Sequence, residues 1–167
     1  MELLLVRHAR AEERELFAIS GADDALRPLT REGAARMRDV AAGLHRLLPD
    51  LDVIASSPYT RALQTADILA RRYKTKVVQL PQLAPGHPPA TLLPWLRGHD
   101  ETFRVALVGH EPDLGMLASW LLCGKEQGFL PFKKGGAALL HFPADIKAGQ
   151  AQLDWLLTPA QLRRRGK

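Results

Sequence analysis

Cysteine is almost missing. Cys123 is the only one in 167 residues, which excludes an internal disulfide and any cysteine-built zinc site. Aromatic residues make up only 6% of the chain, and Trp95, Trp120 and Trp155 are far apart. They read as core or rim packing, not as a platform for stacking bases. No apolar run approaches the ~20 residues of a bilayer-crossing helix. No cationic start leads into an apolar signal stretch, so a cytoplasmic protein is expected. Repeats, low-complexity segments and linkers are also missing. The net charge of +5 is modest and its cations are scattered, which suits an anionic substrate better than nucleic acid. The one basic run, Arg163-Arg164-Arg165, reads as a solvated chain end.

What is present is enough apolar material for one core, at 46% of residues. The expectation is a single domain over residues 1–167, with 158–167 as a basic tail. Strand and helix signals alternate. Leu3 to Val6 form a continuous apolar run, the mark of a strand covered on both faces. A polar stretch follows. Thr30 then caps a long helix with Ala34, Met37, Ala41, Leu44 and Leu48 on one face, and Pro49 ends it. Residues 52–57 read as a second strand. A helix opened by Pro58 follows, with Leu63, Ala66, Leu69, Ala70 and Tyr73 buried. Residues 76–80 are a third strand and 81–89 a Pro- and Gly-rich loop. A short helix through Leu92, Leu93 and Leu96 comes next, then a fourth strand over 103–110. Leu114, Leu117, Ala118, Leu121 and Leu122 mark a helix closed by Gly124. Residues 137–142 and 151–157 read as a strand pair turning near Lys147-Ala148-Gly149. The fold class is α/β: one three-layer domain, a mainly parallel sheet flanked by helices, with a strand pair at the end.

In such a sheet the carboxyl ends of parallel strands share an edge, and ligands bind there. The first, second and fourth strands end in Arg7-His8, in residues 56–61 (SSPYTR) and in residues 109–112 (GHEP). Two arginines and two histidines distant in sequence therefore converge. The helices beginning near Pro58 and Pro112 add free N–H groups that favour an anion. A guanidinium fork matches phosphoryl oxygens, and an imidazole beside it is a nucleophile or proton carrier. Phosphate or another oxyanion is the expected occupant.

Four segments, LLLVRHARAE (3–12), RPLTREG (27–33), SSPYTRALQTA (56–66) and VGHEPDL (108–114), resemble the histidine phosphatase superfamily in their order and spacing. The resemblance runs from Met1 to about Leu162. Short length, the RPLT segment and no large insertion after the third strand resemble its phosphohistidine phosphatase, SixA-type, branch. The resemblance implies a phosphoglycerate mutase-like fold, and His8 as nucleophile. It implies Arg7 and Arg61 as phosphate-gripping arginines and His110 as the second pocket histidine. Ser57 and Glu111, in the same segments, join Arg7, Arg61 and His110 as expected substrate contacts. His8 would attack phosphorus and become phosphohistidine, and water would then release phosphate. Neutral imidazole is the attacking form, and the arginines disfavour its protonation. They also stabilise charge on the equatorial oxygens. No metal or other cofactor is required.

The sequence departs from that pattern at one point. Many members of the superfamily carry a carboxylate general acid after the third strand, whereas here residues 80–89 read LPQLAPGHPP, with Gln82 at the matching place. A general acid contributes ~10²–10⁴-fold. Without one an alkoxide leaves poorly, but the imidazole of phosphohistidine leaves neutral when its other nitrogen carries a proton. The missing acid therefore points to an N–P substrate or an activated ester. A short chain without a covering insertion leaves an open pocket that admits a side chain on another protein, so phosphohistidine on a protein is the expected substrate. Asp113, Glu111 and His87 remain alternative proton donors. A phosphatase of a small-molecule ester and a non-catalytic phosphate-binding module are the open alternatives. A monomer is expected, with a phosphorylated protein as its partner. Arg10 and Arg27 read as solvated surface charge, His45 as a partly exposed surface residue, His99 as part of a polar turn, and His141 as packed or paired.

Overall fold

A computed structural model describes residues 1–166. Its strands are β1 (Glu2–Arg7), β2 (Val53–Ser56), β3 (Val77–Gln79), β4 (Arg104–Gly109), β5 (Ala137–His141) and β6 (Gln152–Leu157). Its helices are α1 (Arg14–Ala18), α2 (Arg31–Leu47), α3 (Thr60–Tyr73), α4 (Leu93–Arg97), α5 (Asp113–Cys123) and α6 (Pro159–Arg165). One six-stranded sheet runs β3-β2-β4-β1-β5-β6. β1, β2, β3 and β4 are mutually parallel where they pair, while β5 is antiparallel to both β1 and β6.

The apolar run of β1 divides between two cores because successive side chains leave opposite faces of a strand. Leu3 and Leu5 join Val105, Leu107, Leu117 and Leu121 on the α5 side. Leu4 and Val6 join Ala106, Val108, Met37, Leu44 and Leu69 on the side of α2 and α3. All four β1 residues are fully buried. Burying each such side chain contributes roughly 1.5–3 kcal/mol, so β1 sits where the two cores meet.

The helix ends follow the expected chemistry. Thr30 Oγ1 accepts from the Gly33 N–H at 2.9 Å at the start of α2. Gly124, at φ 73°, closes α5 in the left-handed conformation that glycine adopts without strain. Several boundaries differ from expectation. α3 starts at Thr60, not Pro58. The polar stretch after β1 holds α1 and a 3₁₀ turn at Asp24–Leu26. The residues expected to form a basic tail are instead structured. Thr158 and Gln161 cap α6 reciprocally, Leu162 is fully buried, and a Cβ at Gly43 of α2 would lie 2.0 Å from the Leu162 carbonyl oxygen. The arginine run sits on a packed amphipathic helix because Leu162 pays back its ordering by burial. Lys167, the last residue of that expected tail, lies outside the described residues.

Among the described residues no helix is long and apolar enough to cross a membrane.

Candidate active site

Register brings the strand ends together. Arg7 pairs with Gly109 and Ser56 with Val108, so the turns after β1, β2 and β4 open on one edge. An open cleft of about 460 Å³ lies there, lined by Arg7, His8, Arg61, His110 and Glu111 among others. Five of the six residues expected at the site thus meet.

The backbone at His8 is held from three sides. Its N–H donates to the Gly109 carbonyl at 3.0 Å, and the Gly135 N–H donates to the carbonyls of Arg7 and His8, each at 3.1 Å. The Ala9 N–H donates to Thr65 Oγ1 of α3 at 3.0 Å. The imidazole is 6% exposed, with Nδ1 2.7 Å from the Ala9 carbonyl oxygen. A carbonyl only accepts, so Nδ1 carries the proton and Nε2 keeps its lone pair. Burial lowers the His8 pKa from 6.5 to about 3. The Ala9 carbonyl opposes this, and His110, Arg61 and Arg7 reinforce it. The ring is therefore neutral at physiological pH.

His110 lies 5.1 Å from His8 between ring centroids. Burial and then the Arg61 charge bring its pKa to about 3 as well. Its Nε2 is 2.8 Å from Ser57 Oγ. Ser57, expected to touch substrate, is completely buried. It does not line the cleft, and its hydroxyl is bonded to the His110 ring.

Each arginine is anchored through its terminal nitrogens, Arg7 by one and Arg61 by both. Arg7 Nη1 donates to the Phe132 carbonyl at 2.6 Å. Arg61, 3% exposed, donates through Nη1 to the Asp24 carbonyl at 2.8 Å and through Nη2 to its carboxylate at 3.1 Å. The Arg61 guanidinium lies over the Tyr59 ring, 4.9 Å from its centroid. Arg7 Nε, Arg61 Nε and His110 Nδ1 are buried without a partner. Buried polar groups are almost always satisfied, so three unpaired nitrogens around one cleft form a set suited to an oxyanion.

Asp24 was not visible as a site residue. Besides Arg61 it holds Arg27, with Arg27 Nε 2.8 Å from Oδ1. Burial pushes its carboxyl up, but hydrogen bonds from Arg27 and Arg14 and the charge of Arg61 outweigh that and hold it at about 2. Arg27, expected to be solvated, is 8% exposed and also donates to the Glu12 carbonyl at 2.6 Å. Arg27 and Asp24 are three residues apart, but the bonds from Arg61 to Asp24 span 37 positions, and no local pattern announces them. Thr65 is a comparable case: its role depends on a backbone 56 residues away.

Glu111 has one carboxylate oxygen buried without a partner. Burial raises its pKa, while the N–H groups of Phe132 and Gly115 and the Arg7 charge oppose the rise. Gln82 and His87 do not line the catalytic cleft. They line a much smaller cavity on the other side of His110, with Leu83 and Leu92. Asp113 borders both spaces, and its carboxylate accepts from the Gly86 N–H at 3.1 Å. Glu111 and Asp113, not position 82 or His87, are thus the cleft carboxylates nearest the β4 end. Of the other histidines, His141 pairs with Asp154 at 2.7 Å, His99 meets the Trp95 carbonyl at 2.9 Å, and half-buried His45 packs on Tyr73. Among the described residues no three His, Cys, Asp or Glu side chains are grouped to hold a metal ion.

Comparison with known proteins agrees with this geometry. The sequence profile of the histidine phosphatase superfamily (branch 1) matches residues 3–85. An uncharacterised protein of Picosynechococcus sp. is 37% identical over 139 residues, which cover 81% of this chain and 82% of that protein. Among solved structures, the protein histidine phosphatase SixA complexed with tungstate superposes with a TM-score of 0.81 at 23% identity, covering 97% of this chain and 99% of that one. A phosphoserine phosphatase variant from Entamoeba histolytica, in complex with phosphoserine, superposes with a TM-score of 0.71 at 18% identity, covering 96% and 98%. At these identities the two superpositions establish the fold.

Proposed function

Because the chain belongs to the histidine phosphatase superfamily (branch 1), we propose that it hydrolyses phosphohistidine on proteins, as a SixA-type phosphatase, through a phosphorylated His8 and without a metal ion. The observation that carries this reading is the state of His8: a neutral ring with its proton fixed on Nδ1 by the Ala9 carbonyl, set among unpaired donors of Arg7, Arg61 and His110.

In the first step the Nε2 lone pair attacks phosphorus in line, the substrate's P–N bond breaks, and its imidazole departs with the bond pair. The two guanidiniums hold the equatorial oxygens, whose charge they match in a loose transition state. The Ala9 carbonyl stabilises the positive charge that builds on the His8 ring as the new N–P bond forms. In the second step water attacks phosphorus, the N–P bond returns its pair to Nε2, and phosphate leaves. The cationic charge of Arg7 and Arg61 supplies the electrostatic role that a divalent ion fills elsewhere.

Substrate class is supported by the leaving group. An imidazole whose second nitrogen is protonated departs neutral, while an alkoxide needs a proton from an acid. The SixA structure holds tungstate, an oxyanion, in the same fold. The test is a rate comparison of phosphohistidine peptide, aryl phosphate and phosphoserine peptide, with and without excess chelator. Phosphohistidine and aryl phosphate should be cleaved at least about 10²-fold faster than phosphoserine, the low end of a general-acid contribution, and the chelator should change nothing. Equal rates on phosphoserine, or loss in chelator restored by one divalent ion, would overturn the proposal.

A further inference from the structure

A second cavity, about 350 Å³, adjoins the catalytic cleft. It starts at Ala9, the residue after the nucleophile, crosses the first half of α2 and ends on α6 at Pro159 and Arg163. Glu13 and Lys134 line both spaces, so the two are neighbours. Arg10, Arg36, Lys134 and Arg163 border it, against the single carboxylate of Glu13, and Met37, Val40 and Pro159 form its apolar part.

We propose that this groove receives an acidic segment of the protein substrate that lies beside the phosphorylated histidine. The proposal rests on the phosphohistidine reading above and names how that partner is recognised. Charge complementarity argues for carboxylates. Lys134 and Arg163 have no carboxylate partner among the described residues. The ion pairs that Arg10 and Arg36 make with Glu13 and Glu32 join side chains more than half exposed. Such pairs contribute little and exchange readily for an incoming carboxylate. The apolar strip argues for a polypeptide carrying apolar side chains among its acids. A small phosphate ester seated at His8 leaves the α6 end of the groove untouched. Complementarity of this kind acts on encounter and specificity more than on the bond-breaking step.

The test uses the full chain, the double variant Arg36→Gln/Arg163→Gln, and two short peptides phosphorylated on a single histidine with phosphoramidate. One peptide carries acidic and apolar residues beside the histidine, the other lysines at the acidic positions. p-Nitrophenyl phosphate reports the bare site. The unaltered chain should show a KM on the order of tenfold lower for the acidic peptide, rising with salt. In the variant that preference should shrink several-fold, with p-nitrophenyl phosphate kinetics unchanged. Equal KM values for both peptides in the unaltered chain, or a preference that survives in the variant, would overturn the docking proposal alone. Hydrolysis of p-nitrophenyl phosphate with neither peptide cleaved would overturn the phosphohistidine reading and docking with it. Should the double variant fail to fold by circular dichroism, the same comparison is made with Arg163→Gln, whose side chain is on the far end of the groove.

Discussion

The turn after β1 and the connection formed by residues 10–29 face the same cleft, yet they are built differently. Around His8 the backbone is bonded to β4, α3 and the segment before β5, and both faces of β1 are buried. The connection carries α1, which buries no residue, and leaves Leu16, Ile19 and Leu26 at 69%, 83% and 60% exposure. Its hold on Arg61 runs through one residue, Asp24, whose carbonyl and carboxylate both accept from the guanidinium. His8 is placed by packing and backbone bonds, and Arg61 is held by a residue on a thinly packed segment. Precision at His8 therefore depends on the core, while precision at Arg61 depends largely on one residue of the connection, Asp24, through its carbonyl and its carboxylate.

Substitution of His8 should give the largest effect. His8→Ala should lower kcat on the order of 10⁴-fold or more and abolish an acid-labile phosphoenzyme, with circular dichroism unchanged. Comparable turnover would remove His8 from the chemistry. Next in size, Asp24→Asn should lower kcat/KM by about tenfold, up to the ~10² that follows when a reacting group is misplaced by an ångström. The Asp24 carbonyl still holds Nη1, so the loss should stay well below that of His8→Ala. A loss as large as that of His8→Ala would make the two regions equivalent and break the comparison.

Acid sensitivity sharpens it further. The folded-state pKa values of His8 and His110 are lowered from 6.5 to about 3. Between those values the unfolded chain binds more protons, so the contribution is fully present above pH 6.5 and is lost as pH falls toward 3. The Tm should therefore fall across that window, and His8→Asn, which cannot titrate, should flatten the fall. An unchanged slope would mean that the His8 environment is not as dry as its burial implies. The smallest effect belongs to the connection: Ile19→Ser should move stability by no more than about 0.5 kcal/mol, against about 2–5 kcal/mol for Leu5→Ala in β1, both read from chemical denaturation.

The same contrast marks what could be read from sequence. β1, α2 and α5 were legible because each obeys a local rule: a continuous apolar run, a Thr cap and a closing glycine. Convergence of Arg7, His8, Arg61, His110 and Glu111 followed from parallel strands ending on one edge. α1 was hidden because RELFA presents no buried face, and α6 because its three arginines obscure the one residue that packs, Leu162. Ser57 and Gln82 sit in segments rightly placed near the site, but side-chain direction is set by neighbours that spacing does not reveal. Asp24 meets Arg61 through a contact that exists only after folding.

The position of β1 in the sheet also bears on how the chain is made. β1 precedes the other five strands of its sheet in the chain, yet it is flanked by β4 and β5, whose pairing residues begin at Arg104 and Ala137. Leu3 to Val6 must wait, apolar and unpaired, until those partners have been made. Such long-range pairing is slow and leaves the waiting segment open to aggregation. A nascent chain shorter than β5 lacks Gly135 and Gly136 and so cannot clamp the Arg7–His8 backbone. The backbone around His8 therefore takes its final form only after the segment before β5 has been made.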